Sequence, residues 1–287
     1  MFQQLFSLFN IPKTYYRRFI YAFTAVCVSI SINLVQAQPS FSISWLDLIK
    51  SGLQVVQISN ISKAQEVELG KSINQELISS GQAKIYRNQS IEDYITQIGQ
   101  RLAKTSQRSD IPYTFQIVDD DGINAFATMG GYVYVNKGLI AAADNEAELA
   151  SVIGHEIGHI AARHSIEHMR ESAVKQGLLS AAGLDRSDAV QIGVELAVSR
   201  PNGRSDELEA DRFGLDNMTK ANYAPSGILG FMQKLLQAGG GSTPSFLSTH
   251  PATSERIKIL KELIDSKTAN LGDGLDNRAY KSRISSL

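Results

Sequence analysis

The stretch "HEIGHIAARH", residues 155–164, decides how the rest of the chain is read. His155 and His159 are four apart, so on a helix they share a face and can grip one ion through two imidazoles. Glu156 is turned about 100° from that pair, near a metal without binding it, where its carboxylate can take a proton from water. Ile157 and Gly158 inside the motif are uncharged and Val152, Ile153 and Ile160 flank it, a texture that suits a buried active-site helix. Of the five histidines in 287 residues, four fall between His155 and His168.

Catalytic zinc takes three protein ligands and a water. The sequence does not continue into the longer pattern with a third histidine, because Ala162 and Ser165 stand at the required positions. On a continuous helix His164 is rotated about 140° from His159, and His164 and His168 read as surface or packing residues. A downstream carboxylate is the other standard solution. "RSDELEADRFG", residues 204–214, supplies one on a helix with an expected N-cap at Ser205. Glu207 and Asp211 share a face, whereas Glu209 points elsewhere. Glu207 is the expected third ligand, and Asp211 is placed to accept a hydrogen bond from a ligand imidazole.

The formal net charge of -1 gives no electrostatic footprint for nucleic acid, so none is expected as a partner. The first 46 residues contain no acidic side chain. Lys13, Arg17 and Arg18 precede the apolar run "FIYAFTAVCVSISINLVQAQ", with a small-residue exit at Val35–Ala37. Residues 1–37 therefore read as a secretory signal peptide. A retained N-terminal membrane anchor is the main alternative, and an organelle-import leader a third. Cys27, the only cysteine, lies inside that leader, so the expected mature protein has no thiol and uses neither disulfides nor cysteine ligands.

Residues 38–46 read as a linker, and 38–59 as linker plus the start of a first helix that runs from about 47 to 80. Ile91–Leu102 repeats the helical pattern. "PYTFQIVDD" and "NAFATMGGYVYVNKGLI" then read as strands joined by turns at 119–122 and Gly130–Gly131. From Asn145 the chain is helical: one long helix through Met169, then helices near 171–183, 187–199, 205–220, 225–238 and 253–266. The tail, 267–287, reads as loosely ordered. The expected fold is α+β: a mostly helical zincin-type domain over 60–266, with a small antiparallel sheet beside the active-site helix.

With "HEIGH" and "SRPNGRSDELEADRFG" both in view, the chain resembles peptidase family M-forty-eight, the HtpX-like and CAAX-prenyl-protease gluzincins. "AQEVELGKSINQEL", "NAFATMGGYVYVNKGLI" and "LSTHPATSERI" extend the likeness, in order, over about residues 60–262, and resemble the exported BepA, LoiP and Oma-type branch. The sequence shows neither the multiple membrane spans of the first two groups nor a helical-repeat domain, which directs the expectation to a short exported protease. The resemblance implies one zinc held by His155, His159 and Glu207, with Glu156 as general base. It implies a metalloendopeptidase of the periplasm or membrane surface that acts on unfolded or misassembled envelope proteins, with membrane or outer-membrane assembly machinery as a further partner. A chaperone-like or binding protein with a latent zinc site is the alternative.

His250, in "STHPATSERI", lies on a loop before a helix, where it reads either as a plain turn residue or as part of a loop that covers the zinc. It can fill the open coordination position and keep the enzyme latent, or stabilise an oxyanion in catalysis. Arg256 can brace that loop or a carboxylate, with a surface ion pair as the alternative. "GGYVYVNKG" reads either as an edge strand that, as in similar zinc peptidases, aligns substrate through main-chain hydrogen bonds, or as a structural hairpin.

Overall fold

A single helix, Glu146–Ala162, runs through the middle of the fold and is buried from Ala147 to Ile160 without interruption. Its apolar side chains face neighbours all round, and each of Ile153 and Ile157, fully buried, contributes about 1.5–3 kcal/mol. The computed structural model describes residues 55–56, 58–178, 183–199, 202–238, 245–251 and 254–287. The leader (1–37), the 38–46 linker and the first residues of the expected 47–80 helix lie outside them.

In chain order, the described residues form β1 (Val55–Val56), α1 (Lys63–Ser79), α2 (Gln89–Ala103), β2 (Thr114–Val118), β3 (Ala125–Thr128), β4 (Tyr132–Asn136) and α3 (Lys137–Ala142). The central helix is α4 (Glu146–Ala162), followed by α5 (His164–Lys175), β5 (Leu184–Asp185), α6 (Arg186–Ser199), α7 (Arg204–Lys220) and α8 (Ser226–Ala238). The chain closes with α9 (Ser245–Thr249), α10 (Ser254–Leu263) and α11 (Asn277–Arg283). The fold is α+β and mostly helical, as expected. No helix among the described residues is long and apolar enough to cross a membrane.

Several local expectations change. Among the described residues the first helix begins at Lys63, where Ser62 and Gln65 form a capping box, and Val55–Val56, inside the expected helix, pair with Leu184–Asp185. The sheet is mixed rather than wholly antiparallel: β3 and β4 are antiparallel, but β2 and β4 are parallel, in the order β2-β4-β3. Burial explains the order. Val133, Tyr134 and Val135 are apolar toward both faces and fully buried, so β4 takes the middle and β2 and β3 the edges. The β3–β4 turn needs Gly130 and Gly131, whose φ values are 78° and 95°.

The expected helix over 145–169 breaks at Arg163, which adopts left-handed φ 63° and ψ 28°. This costs a non-glycine residue about 1 kcal/mol, offset by Arg163 Nη2, which donates to Ile61 O at 3.1 Å and lies 3.3 Å from Glu66 Oε2. Beyond the break the chain continues as α5, which ends at Lys175 and replaces the separate helix expected over 171–183.

α7 lies against α4 at very short range, and glycines allow it. A Cβ on Gly158 would meet the Ala210 carbonyl oxygen at 2.6 Å, and one on Gly214 the His155 nitrogen at 3.0 Å. This approach brings the acidic face of α7 onto the histidines of α4. The N-cap of α7 is Gly203, not Ser205, whose Oγ contacts Asp206 Oδ1 at 3.1 Å.

The tail is not loosely ordered. The Gly274 carbonyl accepts from Ala147 N at 2.9 Å at the start of α4, Asp276 caps α11, and Tyr280 is buried with its hydroxyl donating to Ile140 O at 2.6 Å. Tyr280 and Ile284 are buried anchors of the segment, and Ala269 and Leu287 pack against the same core.

Candidate metal centre

α4 presents His155 and His159 one turn apart, with their Nε2 atoms 3.0 Å from each other. From α7, Glu207 reaches both: Oε2 lies 3.4 Å from His155 Nε2 and Oε1 3.3 Å from His159 Nε2. His250, at the end of α9, places Nδ1 3.0 Å from Glu207 Oε1 and 3.3 Å from His155 Nε2. One ligand atom from each of these four buried residues falls within 4.8 Å of the others.

Around these donors stands a second ring of contacts. His155 Nδ1 donates to Asp211 Oδ1 at 2.9 Å, and its Nε2 faces the centre. Arg256, fully inside rather than on the surface, donates to Asp211 through Nε and Nη2, both at 2.7 Å. Its Nη1 lies 2.5 Å from Glu207 Oε2 and donates to Pro251 O at 3.0 Å. Arg256 thus braces both the carboxylates and the loop that carries His250. Glu156 is buried with Oε1 making no hydrogen bond and lying 3.5 Å from His250 Nε2.

Electrostatics reflect this arrangement. Burial lowers the His155 pKa, but Glu207 and Asp211 outweigh it and lift the imidazole to about 9. Burial dominates at His159 and pushes it down to about 3. Burial alone would raise Glu207, yet His155 and His250 hold it well below the ordinary carboxylate range. Burial also works against Asp211, and Arg256 and His155 overcome it. Glu156 is pushed up by burial, the direction that makes a carboxylate a better proton acceptor.

The donor chemistry fits a divalent metal. Three imidazole nitrogens and a carboxylate converge from buried residues, and the distal nitrogen of each α4 histidine already has a partner.

Sequence reasoning missed several members of the site. His164 is neither on another face nor merely packed; the break at Arg163 folds it back so that its Nδ1 meets His159 Nδ1 at 2.8 Å. His168 Nε2 contacts Asp206 Oδ2 at 2.7 Å. Asn202 Nδ2 lies 3.3 Å from His250 Nδ1, and Phe246 stacks on His250 with centroids 4.5 Å apart. The strand along the cleft is β3, not the expected β4, which has neighbours on both edges. Phe126–Thr128 of β3 line the cleft together with Glu156, His159 and His250. Only the Phe126–Thr128 run of alternating bulk hinted at that role; the break and the Asn202 contact carry no local signal.

A sequence profile described as "Peptidase family M48" matches residues 89–264. The beta-barrel assembly-enhancing protease of Escherichia coli (strain K12) is 30% identical over 243 residues, 79% of this chain and 49% of that protein. Metalloprotease YcaL of the same strain is 28% identical over 231 residues, covering 76% of this chain and 87% of its own length. The mitochondrial metalloendopeptidase OMA1 of Schizosaccharomyces pombe is 31% identical over 174 residues, 59% of this chain and 52% of that protein. The chain spans about half the length of the beta-barrel assembly-enhancing protease it matches.

Proposed function

The chain belongs to peptidase family M48, and from that premise we propose that it is a zinc-dependent endopeptidase acting on unfolded or misassembled proteins. His155, His159 and Glu207 hold one zinc, and Glu156 is the general base. The observation that carries this reading is the buried meeting of donors from α4 and α7 beside a carboxylate with no hydrogen bond on Oε1.

Bound zinc supplies Lewis acidity to the scissile carbonyl and the attacking water. Glu156 accepts the water proton and hands it to the leaving amine. Asp211 keeps the His155 proton on Nδ1, and Arg256 keeps Asp211 and Glu207 ionised and in place. The free edge of β3 offers main-chain groups to an extended substrate, which favours weak sequence selectivity and suits unfolded chains. The basic, acid-free leader and the name of the Escherichia coli relative support export to an envelope compartment, with periplasmic or membrane-surface substrates and assembly machinery as the setting.

His250 stands among the donor atoms, which favours a latent resting state in which it gates the centre over a direct catalytic role. A chaperone-like protein with a silent site would share that geometry. The test is Glu156→Gln against a reduced, unfolded protein substrate. Wild-type cleavage with loss of about 100-fold or more in a zinc-retaining variant is expected; undiminished cleavage would overturn the assignment.

A further inference from the structure

His159 and His164 meet through their Nδ1 atoms at 2.8 Å, with both rings buried. Helical spacing does not produce that contact, because five residues on a continuous helix are turned about 140° apart. It exists because α4 stops at Arg163 and α5 restarts with His164. The left-handed backbone at that position most often belongs to glycine. Here an arginine adopts it and is held by Ile61 and Glu66. The strained turn has one visible consequence at the site: it folds an imidazole onto the back of His159.

The contact also fixes the protons. Two ring nitrogens at 2.8 Å need one proton between them. His159 Nε2 faces the centre, 3.0 Å from His155 Nε2 and 3.3 Å from Glu207 Oε1. A His159 that offers Nε2 to a metal carries its proton on Nδ1 and donates it to His164 Nδ1. His164 then keeps its own proton on Nε2, which faces Glu209 Oε2 at 3.4 Å and Asp206 Oδ1 at 4.0 Å. Asp206 is in turn fixed by His168 at 2.7 Å. The relay runs from ligand imidazole to supporting imidazole to carboxylate. The other ligand histidine differs, since His155 leans directly on Asp211.

We infer that His164 is a positioning residue of the metal centre: its Nδ1 accepts from His159 and sets the tautomer and ring plane in which His159 presents Nε2. The inference rests on the reading of His159 as a ligand. Partners of this kind commonly carry 10–100-fold of metal affinity.

The experiment measures zinc dissociation constants of the full chain by chelator competition, with the unfolding temperature of the metal-free protein alongside. His164→Phe keeps a buried ring and removes the acceptor; His164→Ala also removes the acceptor, should the phenylalanine variant fail to fold. His164→Asn places Oδ1 near the position of the lost Nδ1. The expected result is zinc binding about 10–100-fold weaker in His164→Phe, recovered to within a few-fold in His164→Asn, with similar metal-free unfolding temperatures for the two. Equal affinity in wild type and His164→Phe, or an asparagine variant as weak as the phenylalanine one, overturns the inference. His159→Ala separates the premise: if it binds zinc like wild type, or if wild type binds none, the ligand assignment itself has failed. Affinity that needs His159 but ignores residue 164 overturns the positioning role alone.

Discussion

Arg256 grips Asp211 with two hydrogen bonds of 2.7 Å, Nε to Oδ2 and Nη2 to Oδ1, and both side chains are buried. Asp211 passes that hold to His155, and the same guanidinium touches Glu207. The ligand carboxylate and the ligand imidazole therefore share one brace from α10.

Removing that brace should be costly. Arg256→Met leaves two buried carboxylates without their cation, and breaking a buried pair by deleting one partner costs about 3–5 kcal/mol. Urea unfolding of the metal-free protein checks it. A loss below about 1 kcal/mol would mean that the ion pair contributes little beyond geometry.

Zinc uptake should depend on pH through His155. In the metal-free protein its pKa is raised to about 9, so near neutral pH it carries a proton that zinc must displace. Affinity should rise up to about tenfold per pH unit from 7 to 9 and then flatten. His159, pushed down to about 3, releases none in that window. The sign for stability is opposite. A folded pKa raised above the unfolded value of about 6.5 stabilises fully below that value, and the contribution is lost as pH rises through about 9. Calorimetry in buffers of different ionisation enthalpy counts the proton; none released at pH 8 would contradict the electrostatic account.

His250→Ala should raise turnover of an unfolded protein substrate, on the order of tenfold if about one molecule in ten is open at rest. Zinc content should stay the same, because His155, His159 and Glu207 remain. A fall in turnover at unchanged zinc would contradict the gate and assign His250 to catalysis.

The C-terminal segment should behave as part of the core. Tyr280→Ala removes a fully enclosed ring and its bond to Ile140, and large-to-small changes of that kind cost about 3–5 kcal/mol. A change under 1 kcal/mol by urea unfolding would return the tail to a loosely ordered appendage.

Periodicity controls the part of the site that could be read from the residues. His155, Glu156 and His159 are tied by helical spacing, and Glu207 and Asp211 by the same rule on α7. Their meeting depends on Gly158 and Gly214, whose missing side chains let the two helices approach, and those glycines gave no sign of it alone. The strand order was hidden because it is decided by which strand buries both faces, a property of the assembled sheet. His164 was misplaced because the break at Arg163 is held by Ile61 and Glu66, about a hundred residues upstream, and no local breaker marks it. The docking of Tyr280 was missed because one aromatic in a polar segment carries no period.

The most direct test is the zinc content of the purified full chain, measured per protein molecule in wild type and in Glu207→Ala. The account predicts about one zinc in the first and loss of it in the second, because α4 and α7 must both supply donors. Zinc retained at about one per chain without Glu207 would contradict the three-ligand centre, and no zinc in the wild type would contradict the metal site altogether.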